Sequence, residues 1–178
     1  MAAINKLLWH CTRICVFKYF SQGAFSMGPS PVQSLFDPRS IAVFGASEKG
    51  DSVGAKVFAN LMAGGFAGPI VPVNPKHKSV AGRPCFPSIG DVKQPVDLAV
   101  IAAPSTSIPK IISDCGEAGT RNAIIISAGF GEQGAEGQAR QSDLVDTARH
   151  AGVRFLGPNC VGLVRPWIGL NATFLKSA

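Results

Sequence analysis

Residues 41–47, IAVFGAS, followed by KGDSVG at 49–54 and AKVFANLMAGGF at 55–66, decide the fold. An unbroken apolar run ends in glycine and small residues. A helix-length pattern then follows, with Val57, Phe58, Leu61 and Met62 on one face. Short strands that are apolar at every position are those buried on both faces, as parallel strands covered by helices are. Asp37-Pro38 marks a turn before the run, and Gly64-Gly65 stops the helix after it.

The same unit recurs downstream. GPIVPVNP (68–75), VDLAVIAAP (96–104), NAIIISAGF (122–130) and VRFLGPNCVGLV (153–164) read as four more strands, the last running into a glycine-rich loop. Helical patterns fill 107–119 and 136–151, the latter polar outside and carrying Leu144, Val145 and Ala148. Strands alternating with helices, joined by right-handed crossovers, make an α/β fold: a doubly wound, mostly parallel sheet of Rossmann-like topology. Ligands bind such sheets beyond the carboxyl ends of the strands. The distinctive loops GASEKGDSVG, NPKHK, AAPS, SAGF and GPNCVG all follow strands, so they share that edge.

Composition narrows the function classes. The chain has 178 residues, 46% apolar and only 16% charged, with 20 glycines and 13 prolines. That excludes a disordered, solvating chain and suits many tight connections. No stretch of about eighteen apolar residues is present, so no membrane span is expected. The net charge of +6 is divided. Lys6, Arg13 and Lys18 stand in residues 1–36 without any acid, leaving a mildly basic body with no run of cations to track a nucleic acid. Five cysteines without a CxxC pair point to reduced thiols rather than zinc or disulfides.

Residues 1–34 read as a basic amphipathic leader, with Ile4, Leu7, Leu8, Cys11, Ile14 and Cys15 at helical spacing. It is first an upstream extension, with Met27 the natural start. Its second reading is a mitochondrial-type presequence. The first makes the protein cytoplasmic, the second places it in the mitochondrial matrix. Residues 35–178 form the folded domain.

Two loops carry the chemistry. Gly45, Ala46, Ser47, Ser52, Val53 and Gly54 put small residues between a strand and a helix N-terminus, where free N–H groups favour phosphate. The loop is neither GxGxxG nor Walker A, and a plain turn uses glycines equally well. After the second strand, an NAD site has an acid for the ribose hydroxyls. This chain has Asn74, Pro75, Lys76, His77 and Lys78 instead, which suits a phosphorylated ribose: NADP or coenzyme A. A solvated turn with incidental lysines is the competing reading.

The order LFDPRSIAVFGAS, VGAKVFANLMAGGFAGPIVPVNPK, VDLAVIAAP, IIISAGF and RFLGPNCVGLVRPWIGLNATF resembles the N-terminal CoA-binding domain of NDP-forming acyl-CoA synthetases and of the protein lysine acetyltransferases on that scaffold. The succinyl-CoA synthetase α subunit is a more distant relative through Gly157–Gly162. The resemblance covers residues 35–174 and implies coenzyme A or acyl-CoA as ligand. It places the first-loop residues at the CoA phosphates, Lys76 (with Lys78 as fallback) at the second strand end, and Pro104 against the nucleotide. Ser127 and Ala128 then fall near the pantetheine arm, and Asn159 and Cys160 on a loop facing the phosphohistidine region. Packing is the favoured reading of Cys160. The family's phosphorylated histidine lies in a following flavodoxin-like domain, and its ATP and Mg²⁺ in an ATP-grasp domain or subunit. His10, His77 and His150 match no catalytic position, so the chain is expected to bind without turning over alone. Residues 162–174, with Trp167, Ile168, Leu170 and Phe174, are expected to contact a following domain. Two rivals remain: an NADP-binding oxidoreductase domain, and a CoA-responsive regulatory module.

Overall fold

The computed structural model describes residues 33–175. The contacts divide the chain into Met1–Ser30 and Pro31–Ala178; the second unit is described below. The leader reading lies outside the described residues, save its last two.

After a single helical turn, α1 (Gln33–Phe36), come β1 (Ile41–Phe44), α2 (Val53–Ala63) and β2 (Ile70–Val73). Two short strands, β3 (Ser79–Val80) and β4 (Arg83–Pro84), form a small antiparallel hairpin. Then follow β5 (Leu98–Ile101), α3 (Ile108–Glu117), β6 (Asn122–Ile125), α4 (Ala135–Ala151) and β7 (Arg154–Leu156). The chain closes with an antiparallel pair, β8 (Gly162–Arg165) and β9 (Leu170–Thr173). The main sheet has the order β2-β1-β5-β6-β7, all parallel, as the repeated strand–helix unit predicts.

Alternation along each strand makes two cores. Ala42 and Phe44 of β1, with Ala99 and Ile101 of β5, pack with Ile108, Ile112 and Cys115 of α3 and Leu144 of α4. Ile41 and Val43, with Leu98 and Val100, face the other way toward Val57, Phe58 and Leu61 of α2. All four residues of β1, β2, β5 and β6 are buried, which is why these strands read as continuous apolar runs.

The second face is completed by an element that periodicity does not forecast. Residues 162–173 read as loop and tail, yet they form the β8–β9 hairpin, and β9 lies against α2. Leu170 and Ala172 are fully buried in this domain's own core, whereas Trp167 at the turn is 85% exposed. Asn60 of α2 fixes the far end of β9 by donating from Nδ2 to the carbonyls of Thr173 and Leu175, each at 2.8 Å.

Polar groups anchor the amino edge of the sheet. The Ser40 hydroxyl donates to the Pro95 carbonyl at 2.9 Å and accepts from the Asp97 N–H at 2.9 Å. The buried Thr120 hydroxyl donates to the Val96 carbonyl at 2.9 Å. This leaves the strand-end loops at the opposite edge to carry the site.

Candidate functional site

The strand order places a topological switch point between β1 and β5, since the chain leaves β1 for β2 on one side and reaches β5 on the other. Side chains part there and open a crevice at the carboxyl edge. A cleft of about 550 Å³ occupies that position, within the usual range for small-molecule sites. Phe44 and Gly45 come from the end of β1, and Asn74, Pro75 and Lys76 from the end of β2. Ala102, Ala103 and Pro104 come from the end of β5. Pro87, Ile89 and Ile111 make much of the remaining wall apolar.

The first loop is built by close backbone approach. Gly45 has φ of 78°, and a Cβ on it would stand 2.2 Å from the Ala102 carbonyl oxygen. A Cβ on Gly54 would stand 2.0 Å from the Gly45 carbonyl oxygen. Only glycine lets β1's end, β5's end and the first turn of α2 converge in this way. Ser52 caps α2: its hydroxyl accepts from the Ala55 N–H at 3.2 Å and donates to the Lys49 carbonyl at 2.9 Å. The Ser47 hydroxyl accepts from the Lys49 N–H at 3.1 Å. Ser47 lines a neighbouring hollow of about 700 Å³ on the far side of the loop, bounded by α2, Val80 and Phe174.

Asn74 joins the loops together. Its Nδ2 donates to the Ala46 carbonyl at 2.8 Å, and its Oδ1 accepts from the Lys76 N–H at 3.0 Å. One side chain therefore holds the first loop against the second strand end and fixes the start of the Lys76 turn. Lys76 and Lys78 are both exposed, but only Lys76 lines the cleft.

The remaining predicted residues lie beside the cleft, toward β6 and β7. The Ser127 hydroxyl donates to the Ala103 carbonyl at 2.6 Å, linking the ends of β6 and β5. Asn159, at φ of 56°, donates its N–H to the Ser127 carbonyl at 3.0 Å. The Cys160 thiol donates to the Ile125 carbonyl at 3.3 Å. Burial raises its pKa, the reverse of what a reactive thiolate needs. Ala128 is exposed on the same edge. The loop behind it is pinned by Glu132, whose carboxylate accepts the N–H groups of Gly129 and Phe130. Those backbone hydrogen bonds, Gly129's foremost, hold its pKa below the ordinary carboxylate value.

Sequence reasoning misses one wall of the cleft. Thr106 and Ser107, just before α3, and Lys110, Ile111 and Asp114, from its first two turns, reach it. The signal for them is positional: a helix that begins at the carboxyl edge brings its first turn to the ligand side. Lys110 Nζ lies 2.9 and 3.0 Å from the two Asp114 carboxylate oxygens. Among the described residues, no group of three His, Cys, Asp or Glu side chains could hold a metal ion, and no helix is long and apolar enough to cross a membrane.

The chain is similar in sequence and fold to known proteins. The profile of a family described as a CoA binding domain matches residues 39–166. The chain is 40% identical over 147 residues to acetate–CoA ligase [ADP-forming] I of Archaeoglobus fulgidus, covering 83% of this chain and 21% of that protein. It is 42% identical over 147 residues to the α subunit of acetate–CoA ligase [ADP-forming] I of Pyrococcus furiosus, covering 80% of this chain and 32% of that subunit. The acetyl-coenzyme A synthetase 1 of Ca. Korarchaeum cryptofilum, solved with phosphate and ADP, superposes with a TM-score of 0.77 at 40% identity. That match covers 80% of this chain and 30% of the other. The chain thus spans a fifth to a third of the length of these relatives.

Proposed function

The chain belongs to the CoA-binding domain family, and from that premise we propose that it holds coenzyme A with its adenosine end in the switch-point cleft. The observation that carries this placement is that Gly45, Asn74, Pro75, Lys76 and Pro104, from three separate strand ends, line one cleft. The residues fit the ligand chemically. Flat apolar walls of Pro75, Pro87, Pro104 and Ile111 suit an adenine ring, and Lys76 offers a cation to the ribose 3′-phosphate. The first loop and the N-terminus of α2 adjoin the cleft through Gly45, and the diphosphate is assigned to the backbone of Ala46, Ser52, Val53 and Gly54 there, with the Ser47 side chain on the loop's far side.

Ser52 and Ser127 position backbone through hydrogen bonds already made within the protein. The pantetheine arm runs past Ser127 and Ala128 toward Asn159 and Cys160, and delivers the thiol to a site completed elsewhere. There the thiol attacks an acyl phosphate, forming the thioester and releasing phosphate. That acyl phosphate, with the ATP and Mg²⁺ that produce it, belongs to a second flavodoxin-like domain and an ATP-grasp domain or subunit. The reaction is that of an NDP-forming acyl-CoA synthetase, carried out in the cytoplasm.

Calorimetric titration of the full chain with CoA, dephospho-CoA and NADPH tests this reading. CoA binds, NADPH does not, and Lys76→Ala weakens CoA about tenfold, or about 1.4 kcal/mol, while dephospho-CoA changes little. Binding of NADPH without CoA overturns the reading. Equal losses for CoA and dephospho-CoA overturn the role of Lys76.

A further inference from the structure

We propose that Lys110 is a second phosphate-binding cation of the cleft, acting from a different wall than Lys76, and that Asp114 is its positioning residue. This rests on the placement of the CoA adenosine end in that cleft. Among the described residues, the ionisable groups lining the cleft are Lys76, Lys110 and Asp114. A phosphate monoester carries roughly −1.5 to −2 charges near neutral pH, so Lys76 alone leaves part of that charge unmatched.

Lysine is a mobile point charge on a four-carbon stem, and the two contacts to Asp114, at 2.9 and 3.0 Å, restrict it. An ammonium has three N–H donors, so a donor remains for a ligand. Both partners line the cleft, with Ile111 beside them; the Lys110 side chain is 80% exposed and so open to a ligand entering from solvent, while that of Asp114 is 30% exposed. Lys110 also stands on the first turn of α3, whose positive end adds to its charge. Among the described residues no side chain caps that turn, and the Ser107 hydroxyl donates to the Pro104 carbonyl at 2.7 Å.

The test is a set of CoA and dephospho-CoA titrations with the wild-type chain, Lys76→Ala, Lys110→Ala, Asp114→Asn and the double variant of Lys110 and Asp114. Lys110→Ala weakens CoA about tenfold and dephospho-CoA less than twofold, and the difference shrinks with added salt. Asp114→Asn weakens CoA two- to threefold while Lys110 is present. In the Lys110→Ala background the same change strengthens CoA, because Asp114 is then only a repelling charge. Equal losses for both ligands on Lys110→Ala overturn the role of Lys110. An Asp114→Asn effect of the same sign in both backgrounds overturns the positioning role. If the wild-type chain binds no CoA, the underlying placement fails. If Lys76→Ala discriminates the ligands and Lys110→Ala does not, only the present inference fails.

Discussion

Replacing Gly54 by alanine probes why the first loop is made of small residues. Gly54 is buried on the first turn of α2, and an added Cβ would stand 2.0 Å from the Gly45 carbonyl oxygen and 2.7 Å from its carbon. Ordinary contact begins at 3.4 Å, so the helix start or the strand end must move by more than ~1 Å. Neither yields easily, because both are backbone and Gly45 is itself pressed against the Ala102 carbonyl. Overpacking of this kind costs about 1–3 kcal/mol. A chain of this length loses roughly 2–4 °C of unfolding midpoint per kcal/mol, so the midpoint falls by roughly 2–12 °C. Gly50 in the same loop is the control: a Cβ there meets nothing within 4 Å, and Gly50→Ala stays within about 0.5 kcal/mol of wild type. Thermal unfolding by circular dichroism, without ligand, compares the two. Equal midpoints for Gly54→Ala and Gly50→Ala would refute the close-approach reasoning and leave ligand contact as the only reason for glycine at position 54.

Three further outcomes follow from the packing. Thr120→Val leaves the buried Val96 carbonyl without its donor and lowers the stability measured by urea unfolding by about 1–3 kcal/mol; an unchanged midpoint contradicts it. Leu170→Ala costs about 2–5 kcal/mol, whereas Trp167→Ala, at a site 85% exposed, costs less than about 0.5 kcal/mol; the reverse order in the same assay would mean the hairpin is not docked on α2. Burial pushes the Cys115 thiol up from 9.0 to about 12. Below pH 9 the thiol is protonated in both states, and above pH 9 the unfolded chain releases a proton that the folded chain keeps. Stability therefore falls as pH rises from 9 toward 12, by up to about 1.4 kcal/mol per pH unit from this group, and Cys115→Ala removes that part of the slope.

The main sheet is legible in the sequence because every one of its inner strands is buried on both faces, so burial and hydrophobicity coincide along each run save at Asn122, which is buried but hydrogen-bonded to the Asp97 carbonyl. The β8–β9 hairpin is not legible for the opposite reason. Val164 and Trp167 are exposed while Leu170 and Ala172 are buried, and the pattern is set by α2, a partner a hundred residues away. The β3–β4 hairpin is only two residues per strand, too short for alternation to register. At the candidate site, the small first loop and the cation after β2 are visible because they stand directly after strands. The roles of Ser52, Ser127 and Asn74 as backbone ties depend on distances to Lys49, Ala103 and Ala46 that no linear pattern records. Lys110 and Asp114 look like an ordinary helical ion pair until the switch point places their helix beside the cleft.

A ¹H–¹⁵N chemical-shift map of the full protein, recorded as CoA is added, reads residue by residue where coenzyme A touches the chain. The largest changes are predicted at Gly45, Ala46, Asn74, Lys76, Ala103 and Thr106, with the outer face of α4 at Gln138 and Ser142 unmoved. Shifts confined to the hollow beside Met62, Phe174 and Leu175, with the cleft amides unchanged, would contradict the placement in the cleft.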